Sequence, residues 1–160
     1  MSDAVFPDLK WHHAGFSVNS LDTAIRFYQD VFGMALERKM EIPAIGTKIA
    51  FLRRDNFRFE LFEKEGSKPI PDHSRAPNTD LTVQGIKHAC FSVENCQDAL
   101  ERLFVRPDVE VVGIIREVGK PMVVEDDPRL TDGRLPARAF FFRDPCGLLV
   151  EILQASDFPE

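Results

Sequence analysis

His13-Ala14-Gly15-Phe16-Ser17-Val18 returns 75 residues later as His88-Ala89-Cys90-Phe91-Ser92-Val93, and the match runs on in register through Ala24 against Ala99 and Ile25 against Leu100. A repeat held at one offset over this length marks a duplication, with His13 and His88 at equivalent positions. They are two of only four histidines, the others being His12 and His73. Within the first copy, Ala14, Phe16 and Val18 alternate with His13, Gly15 and Ser17. That is the period of a strand with one apolar face and one face that carries the histidine.

Outward from this stretch each copy reads as β-α-β-β-β. In the first, Asn19 or Ser20 suits an N-cap and Asp22 the first helical turn; Leu21, Ala24, Ile25, Tyr28 and Phe32 follow at helical spacing before Gly33 ends the helix. Strands are expected over 34–41, 48–54 and 57–63, with a loop from Pro43 to Gly46 and a turn at Asp55-Asn56. In the second copy a strand over 86–93 leads to a helix capped near Asn95, with Ala99, Leu100, Leu103 and Phe104 as its apolar stripe. A strand over 109–116 follows, then a hairpin of 139–144 and 148–154 closed by Pro145-Cys146-Gly147. The segment Ala50 to Asp55 matches Ala139 to Asp144, which carries the repeat to the hairpin. Residues 12–63 and 85–154 are therefore read as two modules of a single α+β domain over 1–160, joined by a polar, proline-containing connector at 64–84.

Composition narrows the function classes. At 160 residues and 44% hydrophobic the chain can bury a sizeable core. A net charge of −6, without a basic run, argues against a nucleic-acid or anionic-membrane partner. No apolar run reaches the roughly 20 residues of a membrane span, and Met1 to Lys10 has no export-signal pattern, so a cytoplasmic location is expected. Cys90, Cys96 and Cys146 follow no paired spacing, which points to reduced thiols and away from a disulfide framework or a thiolate zinc site.

The closing strands hold a second equivalent pair. In FRFELFE (57–63) Phe57, Phe59 and Leu61 share one face and Glu60 sits opposite; in LLVEILQ (148–154) Leu148, Val150 and Ile152 share one face and Glu151 sits opposite. A lone histidine or a lone strand glutamate is ordinary surface chemistry. Recurrence of both at equivalent places in two copies is what singles them out. If a pseudo-two-fold axis relates the modules, His13, Glu60, His88 and Glu151 converge. Two imidazoles and two carboxylates without a thiolate suit one divalent ion among Zn, Ni, Co, Mn or Fe, with water in the remaining positions. His13 to Glu60 is 47 residues and His88 to Glu151 is 63, so the second module holds 16 more. They fall between Glu117 and Arg138, an acidic, irregular insertion expected to lie over the site as a lid. His12 is expected on the opposite face in a structural role, and His73 in solvent.

These features resemble the vicinal oxygen chelate superfamily, also called glyoxalase/bleomycin-resistance/dioxygenase-like proteins. The likeness rests on the paired modules, on Phe27-Tyr28-Gln29-Asp30-Val31-Phe32-Gly33-Met34 ending the first helix, and on Arg143-Asp144-Pro145-Cys146-Gly147 before the last strand. The resemblance implies that the modules form an open, curled mixed sheet around a metal-binding cleft. It places His13, Glu60, His88 and Glu151 where glyoxalase I and methylmalonyl-CoA epimerase-like members hold their metal. It also implies a homodimer acting on a small-molecule substrate.

The implied chemistry is that of a lyase or isomerase: two vicinal oxygens of the substrate bind the ion, and Glu151 or Glu60 moves the proton next to a carbonyl. Arg58, on Glu60's face, is a candidate contact for an anionic substrate group. The epimerase-like members use a further acidic residue where this chain has Lys48 or Ile49. Two alternatives stand beside this reading. One is an Fe(II) ring-cleaving dioxygenase on His13, His88 and Glu151, which makes Glu60 dispensable. The other is a non-catalytic protein that sequesters a drug or metabolite.

Overall fold

A computed structural model of the chain describes residues 5, 6, 8–131 and 133–158. The two ends of the 1–160 domain, part of the Met1 to Lys10 stretch and Asp132 of the insertion lie outside the described residues. The chain divides into two compact units, Met1–Lys68 and Pro69–Glu160. Most of the expected connector thus folds with the second unit.

The first unit contains β1 (Ala14–Val18), α1 (Leu21–Phe32), β2 (Ala35–Ile42), β3 (Thr47–Arg54) and β4 (Phe57–Lys64). Its four strands form an open mixed sheet in the order β1-β4-β3-β2, with β1 parallel to β4 and the other neighbours antiparallel. Ser20 caps α1 by accepting from the Thr23 N–H at 3.2 Å, and Gly33 ends it in the left-handed region at φ 61°. A side chain there costs about 1 kcal/mol. The helix buries Leu21, Ala24, Ile25, Phe27, Tyr28 and Phe32. Tyr28 meets Phe59 edge-on at 5.1 Å, and Phe59 in turn meets Phe16 at 4.9 Å. Ala50, Leu52, Phe59 and Leu61 complete this core, which leaves Glu60 on the sheet's other face.

The second unit repeats the plan with β5 (Ala89–Val93), α2 (Cys96–Phe104), β6 (Glu110–Ile115), β7 (Ala139–Arg143) and β8 (Leu149–Gln154), in the order β5-β8-β7-β6. Asn95 caps α2 by accepting from the Asp98 N–H. The buried face of α2 is Cys96, Gln97, Leu100 and Leu103, whereas Phe104 is exposed. The helical stripe is therefore rotated from the one expected, because Gln97 is bonded on all sides. It donates to Glu101 and to the Pro128 carbonyl, and it accepts from Arg116 and the Ala137 N–H. A polar group so satisfied is buried at little cost.

Register corrects one further expectation. Phe51 pairs with Glu60 across β3 and β4, and Phe141 pairs with Glu151 across β7 and β8. The true equivalents are offset by 90 (Phe51 and Phe141), one more than the 89 of the Ala50 and Ala139 match. In a strand a one-residue slip exchanges the faces. Arg38 and Gly113, the next pairs outward, keep the offset of 75. Of the 16 extra residues, 90 − 75 = 15 thus lie between β6 and β7, and one lies in the β7–β8 turn. That turn is built by Asp144, which is buried and accepts from the Cys146 and Leu148 N–H groups, each at 2.8 Å.

Candidate functional site

In each unit the pairing register lays one row of residues across the helix-free face of the sheet. In the first unit it runs Gly15, Glu60, Phe51, Arg38; in the second it runs Cys90, Glu151, Phe141, Gly113. The histidines sit immediately before β1 and β5, where the expected strands over 12–18 and 86–93 had included them. From there His13 Nε2 comes within 3.1 Å of Glu60 Oε2, and His88 Nε2 within 3.0 Å of Glu151 Oε2. Each imidazole also stands edge-on to the phenylalanine of its row, His13 at 5.8 Å from Phe51 and His88 at 5.3 Å from Phe141. The carboxylates are largely shielded, at 18% and 17% side-chain exposure.

These donor spacings bear on a metal. Two ligand atoms bound to one ion at about 2.1 Å and at right angles are about 3.0 Å apart, so each His–Glu pair has the separation of neighbouring ligands on an octahedral ion. The same separation serves as a hydrogen bond in metal-free protein. Within either unit, among the described residues, no third His, Cys, Asp or Glu joins the pair to form a cluster that could hold a metal.

The surroundings of the two pairs differ. His12 Nδ1 lies 2.7 Å from His13 Nδ1, so His12 is the outer partner of His13 and not a residue of the opposite face. Such a contact fixes which ring nitrogen is free to point at Glu60. At the equivalent place Lys87 turns away and donates to the carbonyls of Asp80 and Val83. Cys90 occupies the position of Gly15 beside the glutamate. Its thiol is pushed up to about 12, first by loss of solvation and then by the charge of Glu151. At Gly15 an added Cβ would stand 3.1 Å from the Phe62 ring, so the glycine lets Phe62 lean across the strand.

Arg58, expected to meet substrate, is held by Glu37, with Nε to Oε2 at 2.7 Å and Nη2 to Oε1 at 3.1 Å. Glu37 is the bulge residue of β2, and the Arg58 hydrogen bond holds its carboxyl below the usual range. Lys48 pairs with Glu63 at 3.2 Å, and Ile49 is buried, so neither supplies an acid to this face. His73 is exposed, as expected.

The insertion is no free lid. Val123 pairs with Ile114 and lengthens the sheet beyond β6. Arg116 then grips Glu125 through two hydrogen bonds at 2.7 and 2.6 Å and also donates to the carbonyls of Pro128 and Leu135. Met122 of the insertion lies over Gly113, at the end of the glutamate row. A Cβ at Gly113 would stand 3.1 Å from Met122 Sδ and 3.5 Å from Pro77 Cγ. Sequence reading missed Gln97 and Arg116, whose partners lie as far as 40 and 19 residues away along the chain.

The family model described as Glyoxalase/Bleomycin resistance protein/Dioxygenase superfamily matches residues 10–152. The chain belongs to this superfamily. Among curated relatives, a 2-epi-5-epi-valiolone epimerase of Actinomyces sp. is 29% identical over 89% of the chain and 77% of its own length. The mitochondrial methylmalonyl-CoA epimerase of Mus musculus is 25% identical over 90% of the chain and 72% of its own length. A lactoylglutathione lyase of Arabidopsis thaliana is 28% identical over 92% of the chain, which spans 45% of that protein. Among solved structures, the trypanothione-dependent glyoxalase I of Leishmania major superposes with a TM-score of 0.61 over 94% of the chain and 89% of its own, at 20% identity. That likeness establishes the fold. The curated relatives are lyases and isomerases, and among the described residues no helix is long and apolar enough to cross a membrane.

Proposed function

We propose that this superfamily member is a divalent-metal-dependent lyase or isomerase that moves a proton next to a carbonyl of a small substrate with two vicinal oxygens. His13, Glu60, His88 and Glu151 are its metal ligands, the two units act as one domain, and the protein works as a cytoplasmic homodimer. The observation that carries the reading is the repeated pair: in both units a histidine nitrogen faces a glutamate oxygen at 3.0–3.1 Å on the helix-free side of the sheet. A divalent ion held there would polarise the substrate's oxygens and offset the charge left when the proton departs.

The chain's own groups do the rest. Glu151 or Glu60 accepts the proton from the substrate carbon and returns it to that carbon or its neighbour. The phenylalanines of the two rows, Phe51 and Phe141, keep water from one side of each imidazole. His12 holds the His13 ring in the orientation that leaves Nε2 toward Glu60. Glu60 faces His13 as closely as Glu151 faces His88, which argues for a four-residue set over the His13, His88 and Glu151 triad of a ring-cleaving dioxygenase.

The test is the metal content of protein purified without added metal, followed by titration of the stripped protein. About one ion per chain is expected, with weaker binding in both Glu60→Gln and Glu151→Gln. Wild-type protein that neither carries nor binds an ion overturns the reading and favours sequestration of a small molecule; full metal retention in Glu60→Gln alone favours the triad.

A further inference from the structure

Residues 69–84, a connector by composition, are pinned onto the glutamate-bearing face of the second sheet. Ser74 donates to Asp80 at 2.8 Å, Thr79 donates to the carbonyls of His73 and Ala76, and Lys87 pairs with Asp80 at 3.4 Å. Pro77 is buried against Gly113, and Arg143 Nη1 donates to the Arg75 carbonyl at 3.2 Å. Two anchors, one at the Arg75 carbonyl itself and one at Pro77 two residues on, therefore fix the backbone that carries Arg75.

Arg75 lines a cavity of about 360 Å³ together with Asp108, Glu110, Arg143 and the turn at Pro145 and Gly147. Its acidic lining is already satisfied. Asp108 takes two hydrogen bonds from Arg106 at 2.9 and 2.8 Å, Glu110 accepts from Arg143 at 3.0 Å, and Asp144 accepts from its own turn. Arg143 is spent on Glu110 and the Arg75 carbonyl. The Arg75 guanidinium, by contrast, has one ion pair among the described residues. It is a 3.4 Å contact to Asp72, which is 98% exposed and so contributes little. Its charge reaches the cavity: the Glu110 carboxyl is held low first by its Arg143 hydrogen bond and also by Arg75.

We infer that this cavity is a carboxylate-binding subsite, with Arg75 as the contact that receives the anionic end of a small ligand. Arg143 pairs with Leu149 two residues along the strands from the Phe141–Glu151 pair, and so on the same face. At about 3.3 Å per residue and about 4.8 Å between strands, the backbone of Arg143, in the wall of the subsite, lies about 8 Å from that of Glu151. Resting on the function proposed above, this makes the substrate a short carboxylic acid whose vicinal oxygens lie about that far from its carboxylate. A guanidinium takes a carboxylate bidentately, and one weakly held at the wall of a cavity loses little by exchanging an exposed partner for a ligand.

The experiment is an amide-resolved NMR titration of the metal-free full chain with malonate and, as the uncharged control, malonamide. Saturable shifts at Arg75, Val109 and Gly147 with malonate alone are expected, weakened about tenfold or more in Arg75→Gln and unchanged in Arg58→Gln. Absence of saturable shifts, equal response to malonamide, or full retention in Arg75→Gln overturns the subsite. Metal titration of the same samples separates the two ideas: Arg75→Gln is expected to bind metal as the wild type does. Malonate binding without metal binding would remove the proposed function and leave the subsite standing.

Discussion

The two glutamate rows share a centre and differ at their ends. Histidine, glutamate and phenylalanine recur with the same contacts, whereas Gly15 and Arg38 at the ends of the first row become Cys90 and Gly113 in the second. The common centre is the part of the duplication that has kept both its residues and its contacts. The ends record divergence: the first unit leaves an exposed arginine at the outer end of its row, and the second leaves a glycine covered by Met122 and Pro77.

That contrast can be broken most sharply at its centre. Glu60→Gln and Glu151→Gln should each weaken metal binding, but only the variant that removes the base should lower turnover of the metal-loaded enzyme by about 10²–10⁴. Steady-state rates at saturating metal assign the proton to one half; equal losses would make the two glutamates one unit.

Next in size is the pair of phenylalanines. Phe141 is 5% exposed under the segments that cover its row, whereas Phe51 is only partly buried. Phe141→Ala should cost about 3–5 kcal/mol in denaturant unfolding and Phe51→Ala clearly less. Equal losses would mean that the covering segments add no burial.

A smaller effect concerns how each sheet holds its helix. Glu63 accepts the Leu21 N–H at 2.7 Å, and Gln154, three residues past the other glutamate, accepts the Cys96 N–H at 3.0 Å. The Leu21 hydrogen bond and then Lys48 keep the Glu63 carboxyl below its ordinary range. A lowered native pKa contributes stability that is present above the unfolded value and lost as pH falls through the native one. The first unit should therefore weaken on acidification below about pH 4.3. Glu63→Gln, about 1 kcal/mol less stable at neutral pH, should lose this dependence; thermal melts from pH 3 to 7 measure both. Least visible is Cys90, whose thiol, pushed up to about 12 by loss of solvation and by Glu151, should alkylate far more slowly at pH 8 than a free cysteine.

The doubled strand, both helices and the helix-free placement of both glutamates were legible in the sequence, because alternation and helical spacing report which face is buried. The one-residue slip between β3 and β7 was not. Phe140, Phe141 and Phe142 are all buried, on both faces of the strand, so apolar pattern cannot set the register and only the pairing with Glu151 does. Polar long-range anchors were equally hidden. Nothing local in Gln97, Arg116 or Arg75 announces a partner, and the prolines near Arg75 read as a linker when Pro77 is in fact packed against the sheet.

The short pairing of Val123 with Ile114 has a consequence for solubility. β2 ends its sheet with Glu37, Arg38, Lys39 and Glu41, charges that discourage another chain from adding a strand. β6 reads Glu-Val-Val-Gly-Ile-Ile, a sticky edge by composition, and the insertion caps part of it with the protein's own backbone. Shortening the insertion to the length of the first unit's loop would bare that edge, and the expected outcome is strand-to-strand aggregation, read by light scattering.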